Sequence, residues 1–71
     1  MKKKVLVLGG SGFLGSHVAE ELSYKNYYVT IFDKKKPEFT NKKIKYLSAD
    51  INNKKLLNKA IKNCDAIFYF V

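Results

Sequence analysis

Apolar and polar positions divide the chain into six segments whose spacing changes from one to the next. Val5-Leu6-Val7-Leu8 is an unbroken apolar run stopped by glycines. That pattern predicts a short strand, Lys4–Leu8, covered on both faces. From Phe13 the spacing becomes helical. Leu14, Val18 and Leu22 recur every four residues with Phe13 and Ala19 beside them, while Glu20, Glu21 and Lys25 fall on the other side. A helix over 13–25 follows, with Leu14, Val18 and Leu22 as its expected buried stripe. Tyr28–Asp33 is β-branched and aromatic, which predicts a second strand. Residues 34–43 hold the single proline, Pro37, and form a polar loop. Ile44–Ser48 is a weaker third strand. Leu56, Leu57, Ala60 and Ile61 are again at helical spacing, giving a helix over 53–63 with Asn52 or Asn53 as its N-cap. Residues 66–71 are wholly apolar and form a fourth strand.

The order β-α-β-β-α-β, with helices between buried strands, predicts an α/β fold built on a mostly parallel sheet. Right-handed crossovers place the second strand beside the first. The pattern leaves the direction of the third strand open.

At 71 residues the chain holds at most one small domain. The lone Cys64 excludes an internal disulfide and any cysteine-rich zinc site, and fits a reducing, cytoplasmic setting. The longest apolar runs are too short to cross a membrane. Met1-Lys2-Lys3-Lys4 resembles the start of a secretion signal, but Gly9-Gly10-Ser11-Gly12 cuts the apolar stretch behind it at once. A net charge of +8 raises nucleic-acid binding as a function class. Composition gives a blander cause. Phe, Tyr, Met, Ile, Asn and Lys, which have AT-rich codons, make up 36 of the 71 residues, and none of the 14 basic residues is Arg. Arg is the better bidentate phosphate ligand, so no nucleic-acid partner is expected.

Candidate chemistry centres on Gly9-Gly10-Ser11-Gly12-Phe13-Leu14-Gly15, which joins a buried strand to an amphipathic helix. Gly9 lets the strand turn sharply, with positive φ available to it. Gly12 has no side chain to keep a diphosphate from the backbone, and Gly15 lets the helix lie close to the sheet. The N–H groups around Ser11–Leu14 then face an anion at the positive end of the helix dipole. Ser11 can add a hydroxyl donor. A glycine loop alone is weak evidence. Here an acid, Asp33, stands 18 positions beyond Gly15 at the end of the second strand. Its carboxylate suits the two ribose hydroxyls of NAD and would repel the 2′-phosphate of NADP. Lys34, Lys35 and Lys36 could neutralise such a phosphate, but Asp33 occupies its place, so NADP is the weaker expectation.

VLVLGGSGFLGSHVAEEL resembles the opening of the extended short-chain dehydrogenase/reductase family, the NAD-dependent epimerases and dehydratases of nucleotide sugars. Gly9, Gly12 and Gly15 match its nucleotide motif, with Phe13 and Leu14 at its Phe-Ile/Leu positions. TIFDKKK resembles the second strand with its ribose-binding acid, Asp33. Asp50-Ile51 resembles the pair after the third strand. The resemblance implies that the Asp50 carboxylate accepts from the adenine amino group and that the Ile51 N–H donates to a ring nitrogen. CDAIFYFV resembles the family's fourth strand, with Asp65 at its Asp. The implied fold is the N-terminal half of a Rossmann-type doubly wound parallel sheet, strand order 3-2-1-4. Residues 1–71 would be a partial NAD(P)-binding domain without a substrate-binding part. NAD is the implied partner, and a nucleotide sugar and homodimer formation belong to a full-length parent.

The sequence departs from the family at Tyr69, where His is common, and at Val71, where a small residue usually lines the cofactor cleft. It also contains no Tyr-x-x-x-Lys, the pair in which Lys lowers the pKa of a Tyr acid/base. No catalytic residue is therefore expected in this chain. A non-catalytic NAD(P)-binding sensor or structural subunit of the same fold is the competing expectation. No metal site is expected: His17 has no ligand partners at suitable spacing and reads as a helix-surface residue. Cys64 reads as a small buried hydrophobe. With the fourth strand as an unpaired apolar edge, the chain alone is expected to be poorly stable or to associate.

Overall fold

The computed structural model describes residues 3–9, 12–35 and 41–70, with Phe13 described by its backbone. Strand β1 (Lys4–Leu8) leads to helix α1 (Phe13–Tyr24), strand β2 (Tyr28–Asp33), strand β3 (Ile44–Ser48), helix α2 (Lys54–Lys62) and strand β4 (Ala66–Tyr69). The four strands form one sheet in the order β3-β2-β1-β4. Every pairing is parallel, including the β2–β3 pair that the sequence left open. Val71, expected at the end of the fourth strand, and Pro37 lie outside the described residues.

The two faces of β1 point into separate cores. Val5 and Val7 pack with Ala19, Val29, Ile31 and Ile44 on the α1 side. Leu6 and Leu8 pack with Phe32 on the other side, against the half-buried Leu57 and Ala60 of α2. This two-sided cover explains why β1 is apolar throughout instead of alternating.

Helix α1 meets the sheet at Gly15, as expected, but through a stripe shifted from the expected Leu14, Val18 and Leu22. Gly15, Ala19 and Ser23 are its buried positions, spaced four apart, whereas Leu14 is 64% exposed. Val18 and Leu22 are half-buried at the flanks. Small side chains let the helix axis approach the sheet, and a hydrophobicity pattern weights Leu14 over Gly15 although the helix turns Gly15 inward. The buried Ser23 hydroxyl donates to the Glu20 carbonyl at 2.7 Å, so its polar atom is satisfied. The helix stops at Asn26, whose φ of 71° is left-handed. The Tyr27 N–H then reaches back to the Leu22 carbonyl at 3.3 Å. This is a Schellman-type ending, with Asn in the position glycine usually takes.

Helix α2 is capped as expected by Asn53, whose side chain accepts from the Leu56 N–H at 3.3 Å. Lys59 and Lys62 occupy its last turn, where positive charge complements the helix dipole. It buries no residue fully, and Leu56 and Ile61 remain exposed. Strand β4 is an edge strand with all four residues exposed, as the order 3-2-1-4 requires.

Candidate functional site

Leu8, Asp33 and Ser48 end three parallel strands at the same edge of the sheet. The ladder continues past β1: the Gly9 N–H donates to the Phe32 carbonyl at 3.0 Å, which sets Gly9 beside Asp33. It also continues past β2, where the Ala49 N–H donates to the Asp33 carbonyl at 3.0 Å, bringing Asp50 alongside. Three segments distant in sequence thus emerge together at the carboxyl end of the sheet. Helices α1 and α2 lie on opposite faces, and the strand order turns from β2 on one side of β1 to β4 on the other. The carboxyl end beside such a switch point is where open α/β sheets bind ligands.

Gly9 has φ 77°, a conformation that side-chain-bearing residues avoid, and it turns the chain out of the sheet. Its amide is committed to Phe32, so an incoming anion must be met by later amides. Gly10 and Ser11, both expected in the loop, lie outside the described residues. Gly12 is the N-cap of α1, with extended backbone and no side-chain cap. The first intrahelical bond runs from the Ser16 N–H to the Gly12 carbonyl at 2.9 Å. The amides of Phe13, Leu14 and Gly15 therefore stand ahead of the helical ladder. Among the described residues, a Cβ built on Gly12 would meet the Gly9 carbonyl oxygen at an ordinary contact distance of 3.9 Å. The described packing does not itself demand glycine there. A diphosphate fits that combination of amides ahead of the helical ladder and the helix dipole.

Asp33 is half-buried at the end of β2, where one carboxylate oxygen accepts from the Lys35 N–H at 3.0 Å. That turn holds the carboxylate at the sheet edge. Asp50 is organised in the same manner: Oδ1 accepts from the Asn52 N–H at 2.9 Å, and its carbonyl accepts from the Asn53 N–H at 2.8 Å. Its second oxygen lies 3.9 Å from Lys34 Nζ. The sequence treated Lys34 as a loop lysine. Its partner follows from the parallel β2–β3 register, which puts the residues after Asp33 and Ser48 side by side. Ile51 turns its side chain toward Leu6, Leu8 and Phe32.

Asp65 stands at the other end of the sheet. Its Oδ2 accepts from the Lys4 N–H at 2.8 Å, and its own N–H donates to the Lys4 carbonyl at 2.7 Å. It pins β4 to the start of β1 and takes no part in the site. His17 is exposed on α1. Cys64 is half-buried rather than fully buried, and packs on the Leu6–Leu8–Phe32 cluster. Among the described residues no group of His, Cys, Asp or Glu could hold a metal ion, and no helix is long and apolar enough to cross a membrane.

Residues 5–71 match the family model of the NAD-dependent epimerase/dehydratase family. The chain belongs to that family. It is 37% identical over 67 residues to a mouse sterol-4-alpha-carboxylate 3-dehydrogenase, decarboxylating, covering 94% of this chain and 18% of the relative. It is 35% identical over 75 residues to a UDP-N-acetyl-alpha-D-glucosaminuronate decarboxylase of Bacillus cytotoxicus, covering 97% of this chain and 23% of that protein. Among solved structures, the Bordetella bronchiseptica enzyme WbmH in complex with NAD+ superposes with a TM-score of 0.88 at 26% identity, over 100% of this chain and 26% of that one. The family member thus spans about a quarter or less of the length of these relatives. Its parallel 3-2-1-4 sheet with helices on both faces is the Rossmann-like start of the family fold.

Proposed function

We propose that this chain holds the adenosine and diphosphate part of NAD, as the cofactor-binding portion of a nucleotide-sugar epimerase or dehydratase. The observation that carries the proposal is the meeting of uncapped α1 amides, the turn at Gly9 and the Asp33 carboxylate at one edge of the sheet. The Phe13, Leu14 and Gly15 amides would receive the diphosphate, with Gly12 leaving the approach open and Ser11 adding its hydroxyl. Asp33 would accept from the ribose hydroxyls and disfavour a 2′-phosphate. Asp50 and Ile51 would face the adenine, the first accepting from its amino group and the second donating its N–H.

When bound, NAD supplies a hydride acceptor that can return the hydride later. This chain's residues bind and orient it. The chain carries no Tyr-x-x-x-Lys pair, so a proton-transfer pair would have to come from elsewhere in a longer polypeptide. Such a pair would separate an enzyme from a non-catalytic NAD binder. Support for the nucleotide-sugar class comes from relatives such as the glucosaminuronate decarboxylase and from the Thermotoga maritima UDP-glucose 4-epimerase solved with UDP-glucose, which superposes with a TM-score of 0.83 at 26% identity.

Calorimetric titration with NAD, NADP and adenosine tests the cofactor assignment. NAD is expected to bind at least tenfold more tightly than NADP, and Asp33→Ala to weaken NAD by roughly tenfold or more, since hydrogen bonds to a charged group contribute about 1.5–3 kcal/mol. Equal affinity for both dinucleotides, unchanged by Asp33→Ala, would remove the assignment.

A further inference from the structure

A cleft of about 610 Å³ opens between α2 and the sheet, at the opposite end of the strands from Gly9. Its floor is apolar, formed by Leu47 of the sheet with Leu56 and Ala60 of α2, over the buried Leu6. Lys4, Lys42, Lys45 and Lys59 stand around it, and Thr30 and Asn63 add polar side chains. Lys43 also lines the cleft, but its ammonium lies over the Tyr24 ring, 5.0 Å from the centroid, and is directed elsewhere. Among the described residues, none that lines it is acidic. Asp65, next to the lining residue Cys64, has one carboxylate oxygen on the Lys4 N–H. Positive charges around a concave apolar floor concentrate field within the cleft, with the Asp65 carboxylate beside Cys64 offsetting part of it. Its volume is in the range of small-molecule pockets.

We infer that this cleft binds a small amphiphilic anion: one carboxylate or phosphate head held by the lysines, on an apolar body lying against Leu47 and Leu56. Cations spread along a ridge would favour a nucleic-acid backbone. Here they ring a concavity whose base is aliphatic, and neither a bare phosphate nor a duplex would use that base. The site lies at the opposite end of the strands from the carboxyl edge, so the anion and NAD would not compete for one place.

Cys64 lines the cleft and is the chain's single thiol, which makes it a local reporter. Alkylation of Cys64 by iodoacetamide at alkaline pH is measured with rising octanoate, octyl phosphate, 1-octanol or inorganic phosphate, alongside calorimetric titration of the same compounds. Octanoate or octyl phosphate is expected to slow alkylation saturably, and the difference between them identifies the preferred head group. 1-Octanol and inorganic phosphate are each expected to bind at least tenfold more weakly. Lys45→Glu with Lys59→Glu should weaken the anion at least tenfold, while Lys25→Glu, at the end of α1, should leave it unchanged. Circular dichroism confirms that each variant is folded. Should the lysine pair fail to fold, Lys45→Gln alone is expected to weaken the anion severalfold. Equal protection by octanol, no protection by either amphiphile, or tighter protection by an oligothymidylate would overturn the inference.

Discussion

The Asp65 carboxylate accepts the Lys4 N–H at 2.8 Å while the Asp65 N–H donates to the Lys4 carbonyl at 2.7 Å. A side chain here completes a strand pairing that backbone alone would leave open, and it joins two residues 61 positions apart. The bond is exposed to solvent, so Asp65→Ala should cost about 1 kcal/mol. Asp65→Asn keeps an acceptor and should cost less. Urea unfolding of the two variants checks the order, and equal stability of all three proteins would contradict the pinning role.

The same carboxylate affects its neighbour. Partial burial pushes the Cys64 thiol above its ordinary range, and the Asp65 charge raises it further, against a lowering contribution from a backbone hydrogen bond at Ala66. The thiol donates to the Ile61 carbonyl at 3.2 Å. Because the thiolate is the nucleophile, alkylation at neutral pH should be slower than for a free cysteine, and the rate should still be rising where a free thiol has reached its plateau. Asp65→Asn removes one raising cause and should shift the rate profile toward lower pH. A profile matching free cysteine in both proteins would contradict this.

Strand β4 presents an open edge with Ile67, Phe68 and Tyr69 at 44%, 37% and 63% exposure. Ile67 and Tyr69 continue the α2 face, and Phe68 the α1 face, so both sides of the edge are apolar. Edges of this kind recruit further strands. The chain on its own should associate in a concentration-dependent manner in sedimentation velocity, and Ile67→Lys should suppress the association. A monodisperse monomer with a cooperative melt would contradict it.

Much of this architecture was legible in the sequence because local signals and tertiary structure agree. β1 to β3 begin and end where their runs of apolar, β-branched and aromatic residues put them. The Asn53 cap was readable because its side chain acts within its own turn. The approach of α1 to the sheet was readable at Gly15, but its buried face was placed partly wrong: Ser23 faces the sheet with Gly15 and Ala19, and Leu14 is left outside. The commitment of the Gly9 amide to Phe32 and the Lys34–Asp50 pair were also hidden, since each depends on strand register. Asp33 and the glycines are named by their spacing, but their meeting at one edge comes from the parallel sheet.

The central claim is that the amides ahead of the helical ladder at the start of α1 receive a diphosphate. Backbone amide spectra of the isotopically labelled chain, recorded as NAD is added, test it most directly. The Phe13, Leu14 and Gly15 resonances are predicted to move downfield together and saturably, with Gly9, already bonded to Phe32, moving less. NAD binding that leaves those three amides in place, or no saturable binding at all, would contradict the account.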